Sequence, residues 1–175
     1  MNRVGQTCIA AVLVLGIVGC ASTAPYDPGP QFSPDDYSTW TQGGDGTING
    51  RAFVRIDGSS GGIWPFGDDE PAGVVTCAGT TISAMPATPF FSDYLATAKD
   101  EQAMPAPPPA MQALIHTTTC DASGAFSFHH LAPARWLLTT GEGWTLDDDP
   151  VGGWINTTVT VDADHAAKVT LSRKR

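Results

Sequence analysis

The chain has 175 residues, with 9 Lys and Arg against 18 Asp and Glu, for a formal net charge of −9 at pH 7. That balance argues against nucleic acid and anionic lipid surfaces as partners, because phosphate contacts need Lys and Arg. Charged residues make up only 15%, with 19 Gly and 14 Pro, a β-rich secreted composition rather than that of a helical bundle.

The first residues, MNRVGQT, carry one positive charge at Arg3, and Cys8 to Gly19 then runs without a charge. The run is too short for a hydrocarbon core of about 30 Å, which needs about 20 residues. A positive head, a short apolar run and small residues at its end describe a secretory signal. This one ends Ile17-Val18-Gly19-Cys20, which resembles the bacterial lipobox. The resemblance implies a diacylglyceryl thioether on Cys20, cleavage before it, and acylation of the new amino terminus. One acyl chain anchors only marginally at about 0.8 kcal/mol per buried CH₂, so three make the anchor effectively permanent. Residues 1–19 are therefore read as a leader, Cys20 as the lipidation site, and the membrane as a partner through that anchor. Ala21-Ser22 lacks the acidic residue that retains lipoproteins in the inner membrane of enteric bacteria, which by analogy favours the outer membrane of the cell envelope.

Residues 20–45 are rich in Pro, Gly, Ser and Asp without an apolar period, and read as the acylated Cys and a flexible, disordered tether. Its aromatics Tyr26, Phe32, Tyr37 and Trp40 are able to dock on the body. From Gly46 the pattern alternates: Ile48, Ala52, Val54 and Ile56 against Thr47, Asn49, Arg51 and Arg55, a strand. Residues 57–73 form a long loop with Gly, Pro and acids. Val74 to Cys77 and Thr80 to Met85 read as short strands broken by Ala78-Gly79. Residues 86–113 interrupt this rhythm. Ser92 to Ala103 reads as one short helix with Ser92 as N-cap, ended by a proline-rich crossing. Strands resume at 114–119. Asp121-Ala122-Ser123-Gly124 is a tight turn, with Asp bonding local amides and Gly taking φ > 0. Phe126 and Phe128 then face one way and Ser127 and His129 the other; Trp136 and Leu138 open a further strand. Ile155, Val159 and Val161, then Val169 and Leu171, mark two more. The terminal Arg173-Lys174-Arg175 reads as a solvated basic tip. Seven to eight short strands with turns between them indicate an all-β antiparallel sandwich. A body of about 130 residues, 46–175, buries about two thirds of its unfolded surface, enough to fold alone.

The stretch 117–138 resembles the carboxypeptidase regulatory-like domain, a transthyretin-like β-sandwich. The pattern T-x-D-x-x-G-x-F-x-F, then L-P-A-G, then an aromatic, is carried by Thr119, Asp121, Gly124, Phe126, Phe128, Leu131, Pro133 and Trp136. Arg135 stands where the family has Gly, and Trp136 where it has Tyr. Gly46, Ile48 and Gly50 match the family's G-x-V-x-G opening, and residues 78–88 resemble the second strand of bacterial lipoproteins carrying this domain. The resemblance covers roughly 46–172 and implies a fold rather than an activity, since in the carboxypeptidases this domain carries no catalysis.

With Cys8 cleaved and Cys20 acylated, Cys77 and Cys120 remain. In an oxidising compartment such a pair bridges, closing a loop of about 43 residues and stabilising by about 3–4 kcal/mol; the alternative is two unrelated buried thiols. His129-His130, on a strand, point to opposite faces and read as surface polar residues rather than metal ligands. Asp147-Asp148-Asp149 lacks the spacing and Gly of an EF-hand loop. No G-x-S-x-G elbow, H-E-x-x-H, P-loop or dinucleotide fingerprint is present, so no catalytic residue, cofactor or metal is assigned. Trp64 and Trp144 sit in Gly-rich loops near acids; they form a candidate binding surface or cap the ends of the sandwich. The leading expectation is a lipid-anchored, non-catalytic module that meets an envelope protein or polymer. The alternatives are a structural spacer, or a transthyretin-like hydrolase of a small ring substrate such as hydroxyisourate. Those hydrolases carry a C-terminal Tyr-Arg-Gly-Ser, whereas this chain ends Leu171-Ser172-Arg173-Lys174-Arg175.

Overall fold

Strand β1 (Gly46–Ile56) alternates in space as it does in sequence: Ile48, Ala52, Val54 and Ile56 are buried, while Asn49, Arg51 and Arg55 are exposed. The computed structural model describes residues 32–56, 73–100, 106–141, 145–146, 149–150 and 154–174, and β1 is the centre of its first sheet. Strand β10 (Ala167–Lys174) runs parallel along one edge of β1, Ile48 facing Ala167 and Arg55 facing Lys174. The other edge is divided. Strand β5 (Ala125–Leu131) pairs antiparallel with Gly46 to Arg51, and β2 (Gly73–Thr76) pairs antiparallel with Phe53 to Ile56. The second sheet is antiparallel throughout, in the order β4 (His116–Thr119), β3 (Thr81–Pro86), β6 (Arg135–Thr140), β9 (Asn156–Thr160). A small hairpin joins β7 (Thr145–Leu146) to β8 (Asp149–Pro150). Among the described residues, eight strands thus form the two sheets of an all-β sandwich, with the parallel β1–β10 pair as an addition to the antiparallel set.

The main core lies between the sheets. Ile48, Val54, Phe126, Phe128, Leu131 and Leu171 come from the first, and Ile82, Trp136 and Leu138 from the second. Burying each of these large side chains contributes about 1.5–3 kcal/mol. Trp136 is wholly buried yet keeps its polar handle satisfied, donating its indole N–H to the Ala132 carbonyl at 3.0 Å.

The second sheet is buried on its outer face as well. Met85 on β3 and Leu137 on β6 point away from the main core into a second cluster with Tyr37, Phe91, Tyr94, Leu95, Met111 and Leu114. Helix α2 (Pro89–Asp100) supplies Phe91, Tyr94 and Leu95, and the short α3 (Pro109–Gln112) supplies Met111. Helices α2 and α3 of the 86–113 excursion are therefore a third layer over one face of the sandwich. Helix α2 starts a turn before the expected N-cap Ser92. Thr88 takes that role: its hydroxyl accepts from the Phe91 N–H at 3.5 Å, and Pro89 fills the first helical position, where no N–H is needed. Ser92 instead donates its hydroxyl to the Thr88 carbonyl at 3.0 Å.

The segment read as a disordered tether is partly structured. A 3₁₀ turn, Pro34–Tyr37, runs into α1 (Ser38–Thr41), and Tyr37 is buried against Phe91 with ring centroids 5.5 Å apart. Trp40 donates its indole N–H to the Arg135 carbonyl at 3.1 Å. The docking aromatics are thus Phe32, Tyr37 and Trp40, which pack into the second cluster from outside the sandwich sequence. Tyr26 lies outside the described residues.

Cys77 follows β2 and Cys120 follows β4, so their disulfide ties the first sheet to the second, with Cα atoms 5.8 Å apart and both residues buried. This pairing is the expected one. Replacing Cys120 with Ser is expected to lower unfolding stability by about 3–4 kcal/mol, read as a reduced denaturation midpoint in urea. Gly50 faces inward on β1, where a Cβ would overlap the ring of Phe126. Gly50→Ala is expected to cost about 1–3 kcal/mol by overpacking, with a lower melting temperature and an unchanged β-sheet circular dichroism spectrum.

Candidate functional site

The two outer faces of the sandwich differ. The helices cover that of the second sheet; among the described residues, nothing covers that of the first. Its outward positions follow from the β1–β10 register. Asn49 lies beside Lys168, Arg51 beside Thr170, Phe53 beside Ser172, and Arg55 beside Lys174. Residues facing each other on paired strands share a side of the sheet, so these eight form four successive rows, about 6.6–6.8 Å apart along the strands. On the other edge of β1 the same face continues with Ser127 beside Asn49 and Thr76 beside Phe53. Four of the chain's nine Lys and Arg residues, Arg51, Arg55, Lys168 and Lys174, are on this face, and all four are exposed. None of the outward positions of β1, β2, β5 or β10 carries an acid.

Two shallow depressions follow the β1–β10 seam. One of about 350 Å³ is lined by Asn49, Gly50, Arg51, Lys168, Val169 and Thr170. The next, of about 280 Å³, is lined by Phe53, Arg55, Ser172, Arg173 and Lys174. Arg51 and Arg55 are each held in place. Arg51 donates from its guanidinium to the Ser123 carbonyl at 3.0 Å, and Arg55 lies over the Phe53 ring, 5.8 Å from its centroid. Asn49 and Ser127 are joined by a hydrogen bond of 3.1 Å from the Ser127 hydroxyl to the Asn49 Oδ1. The face can thus offer cationic donors, an amide, hydroxyls and one half-buried aromatic ring along a line about 20 Å long.

The turn that orients Arg51 is the one expected from Asp121-Ala122-Ser123-Gly124. The Asp121 Oδ1 accepts from the Ser123 N–H at 2.8 Å, the Ser123 hydroxyl at 2.8 Å and the Ala125 N–H at 2.9 Å. Gly124 has φ +78°, and a Cβ there would lie 2.7 Å from the Ala52 carbonyl oxygen. These bonds, the Ser123 hydroxyl foremost, hold the Asp121 carboxyl below its ordinary value, with Arg51 adding a smaller pull.

Corrections to the expected site residues follow from strand geometry. His129 and His130 are both exposed, as surface polar residues, but the strand that carries them is not regular. Gly46 faces Leu131 and Ile48 faces Phe128, so β5 holds an extra residue, a bulge with His130 at φ 59°. Among the described residues, no group of three His, Cys, Asp or Glu could hold a metal ion. His116 is half-buried with its ring edge-on to Trp136 at 5.3 Å, and loss of solvent lowers its pKa. Arg173 and Lys174, read as a solvated basic tip, are exposed and form the end of β10, with Val54 and Arg55 as register partners. Cys20, Trp64, Trp144, Asp147 and Asp148 lie outside the described residues.

The cationic face itself was missed by sequence reasoning. Its signal is present in Arg51 and Arg55, i and i+4 on one side of β1, and in Lys168 and Lys174 on one side of the last strand. What joins them is the parallel pairing of two strands more than a hundred residues apart.

No family model matches the chain, and no curated protein does. Its fold is similar to that of a solved structure from Pseudomonas aeruginosa, a proposed carbohydrate binding protein, with a TM-score of 0.60 and 23% identity over 82% of this chain and 99% of the other. At that identity the likeness concerns the fold.

The stabilisation carried by the Asp121 carboxylate is present above the unfolded value of about 4 and is lost as pH falls through the depressed folded value. Asp121→Ala is therefore expected to flatten the fall in stability below about pH 4, measured by urea denaturation at stepped pH.

Proposed function

We propose that this chain is a lipid-anchored, non-catalytic β-sandwich that binds an envelope polymer of the carbohydrate class through the open face of its β1–β10 sheet. One observation carries the reading. Among the described residues, one of the two outer faces is closed by an aromatic helical layer, and the other is left uncovered with four cations, an amide, hydroxyls and a ring at its outward strand positions, none of which is an acid. Stacking surface and convergent polar groups are what a sugar chain requires of a protein. The proposed carbohydrate binding of the structural neighbour in Pseudomonas aeruginosa supports the ligand class. The likeness of Ile17-Val18-Gly19-Cys20 to a lipobox supports the anchor, placed in the outer membrane, and the likeness of residues 117–138 to the carboxypeptidase regulatory-like domain supports a role without catalysis. Trp64 and Trp144 belong to the same proposal as loop aromatics able to add stacking contacts.

Intact mass spectrometry of the membrane-extracted protein tests the anchor. The expected mass is that of residues 20–175 plus acyl chains; an unacylated mass with another start removes Cys20 as the attachment point. Binding of the full chain in non-ionic detergent to an immobilised panel of envelope and plant glycans tests the ligand class. Saturable binding to members of the panel is expected, and its absence across the panel leaves a structural spacer in place of a binding module.

A further inference from the structure

We infer that the ligand of the β1–β10 face is an acidic polysaccharide, a single polyanionic sugar chain lying along the seam with its carboxylates against Lys168, Arg51, Arg55 and Lys174. This rests on the carbohydrate-binding reading and adds the charge of the ligand and its track. Three of the four rows carry a cation on one strand or the other: Lys168, Arg51, then Arg55 with Lys174. The remaining row carries Phe53 and Ser172, a ring and a hydroxyl. Adjacent rows are about 6.6–6.8 Å apart, shorter than the Debye length of about 8 Å at physiological salt, so an anionic group on the seam feels more than one cation. The two depressions follow the same line, and a track one interstrand spacing wide accepts one chain.

The net charge of −9 does not oppose this, because acids beyond a Debye length are screened. It does oppose broad polyanions. Asp121 stands beside Arg51 at the edge of the face, so a duplex or a bilayer wide enough to overhang the seam would be set against acid at the rim. Part of the recognition geometry is in place before binding. Ser123 holds Arg51 and the Phe53 ring holds Arg55, which lowers the ordering cost of two long side chains.

The test is calorimetric titration of the full chain in non-ionic detergent with alginate oligosaccharides as a polyuronate, dextran oligosaccharides as a neutral glycan, duplex DNA, and vesicles of phosphatidylglycerol. Alginate is expected to bind most tightly, and more weakly as salt rises. The double variant Arg55→Gln/Lys168→Gln is expected to lose about tenfold in affinity. Its slope of log K against log salt is expected to fall by about 1.4, taking about 0.7 per cation for a thin polyanion. Both positions are exposed, so the double variant is expected to melt with the parent, and Lys168→Arg is expected to retain binding. Equal, salt-insensitive binding of dextran overturns the acidic ligand and leaves the carbohydrate reading standing. No binding of either glycan overturns both. Tighter binding of DNA or vesicles, or alginate binding unchanged in the double variant, overturns the ligand or the track.

Discussion

Strand β1 sets the constraint on which the rest of the molecule depends. Its eleven residues serve three partner strands at once, with β10 along one edge and β5 and β2 end to end along the other. Every inward residue of β1 must therefore fit under side chains from more than one neighbour. Gly50 is the clearest case, since the Phe126 ring occupies the space that a side chain would fill. The same strand fixes the outward rows. A slip of one residue would exchange the buried and exposed sets, sending Arg51 and Arg55 into the core, so the apolar alternation that builds the core also pins the cations outside.

The second sheet answers the opposite demand. β3 and β6 are buried on both faces, so they carry apolar residues at consecutive positions, as in Met85 beside Ala84 and Leu137 beside Leu138. Such strands leave an apolar outer face that has to be covered. Phe91, Tyr94, Leu95 and Met111 cover it, joined by Tyr37 from before the first strand. The asymmetry of the sandwich follows. Covering one face with helices commits α2, α3 and the end of the tether to that side, and leaves the outer face of the first sheet uncovered among the described residues.

Much of this was legible in the chain. The alternation around Ile48, Val54, Phe126 and Leu171 gave the correct inward sets, and Asp121 with Gly124 gave the turn, because both signals are local. The Cys77–Cys120 bridge was also legible, from cysteine number and compartment. What failed was one competition between local signals and two features that are non-local. The start of α2 depends on Thr88 and Pro89 jointly, and helix formers further along the segment drew the expected start to Ser92. The paired exposure of His129 and His130 depends on a bulge set by the mismatch with Gly46 and Ile48 on another strand. The basic face required a register between strands that composition does not encode.

That last point bears on how net charge is to be used. The excess of acid over base weighs against partners that engage the whole surface, since a bilayer or duplex averages over a wide area. A seam between two strands does not average in that way. It samples charge over a few ångströms on either side, and salt removes the remainder. A chain can therefore be acidic in sum and basic along one line, provided the fold brings its few cations into register. Here the parallel pairing of β10 with β1 does so, aligning Lys168 with Asn49 and Lys174 with Arg55 across a single interstrand spacing. Acids more than a Debye length away do not cancel that line of charge.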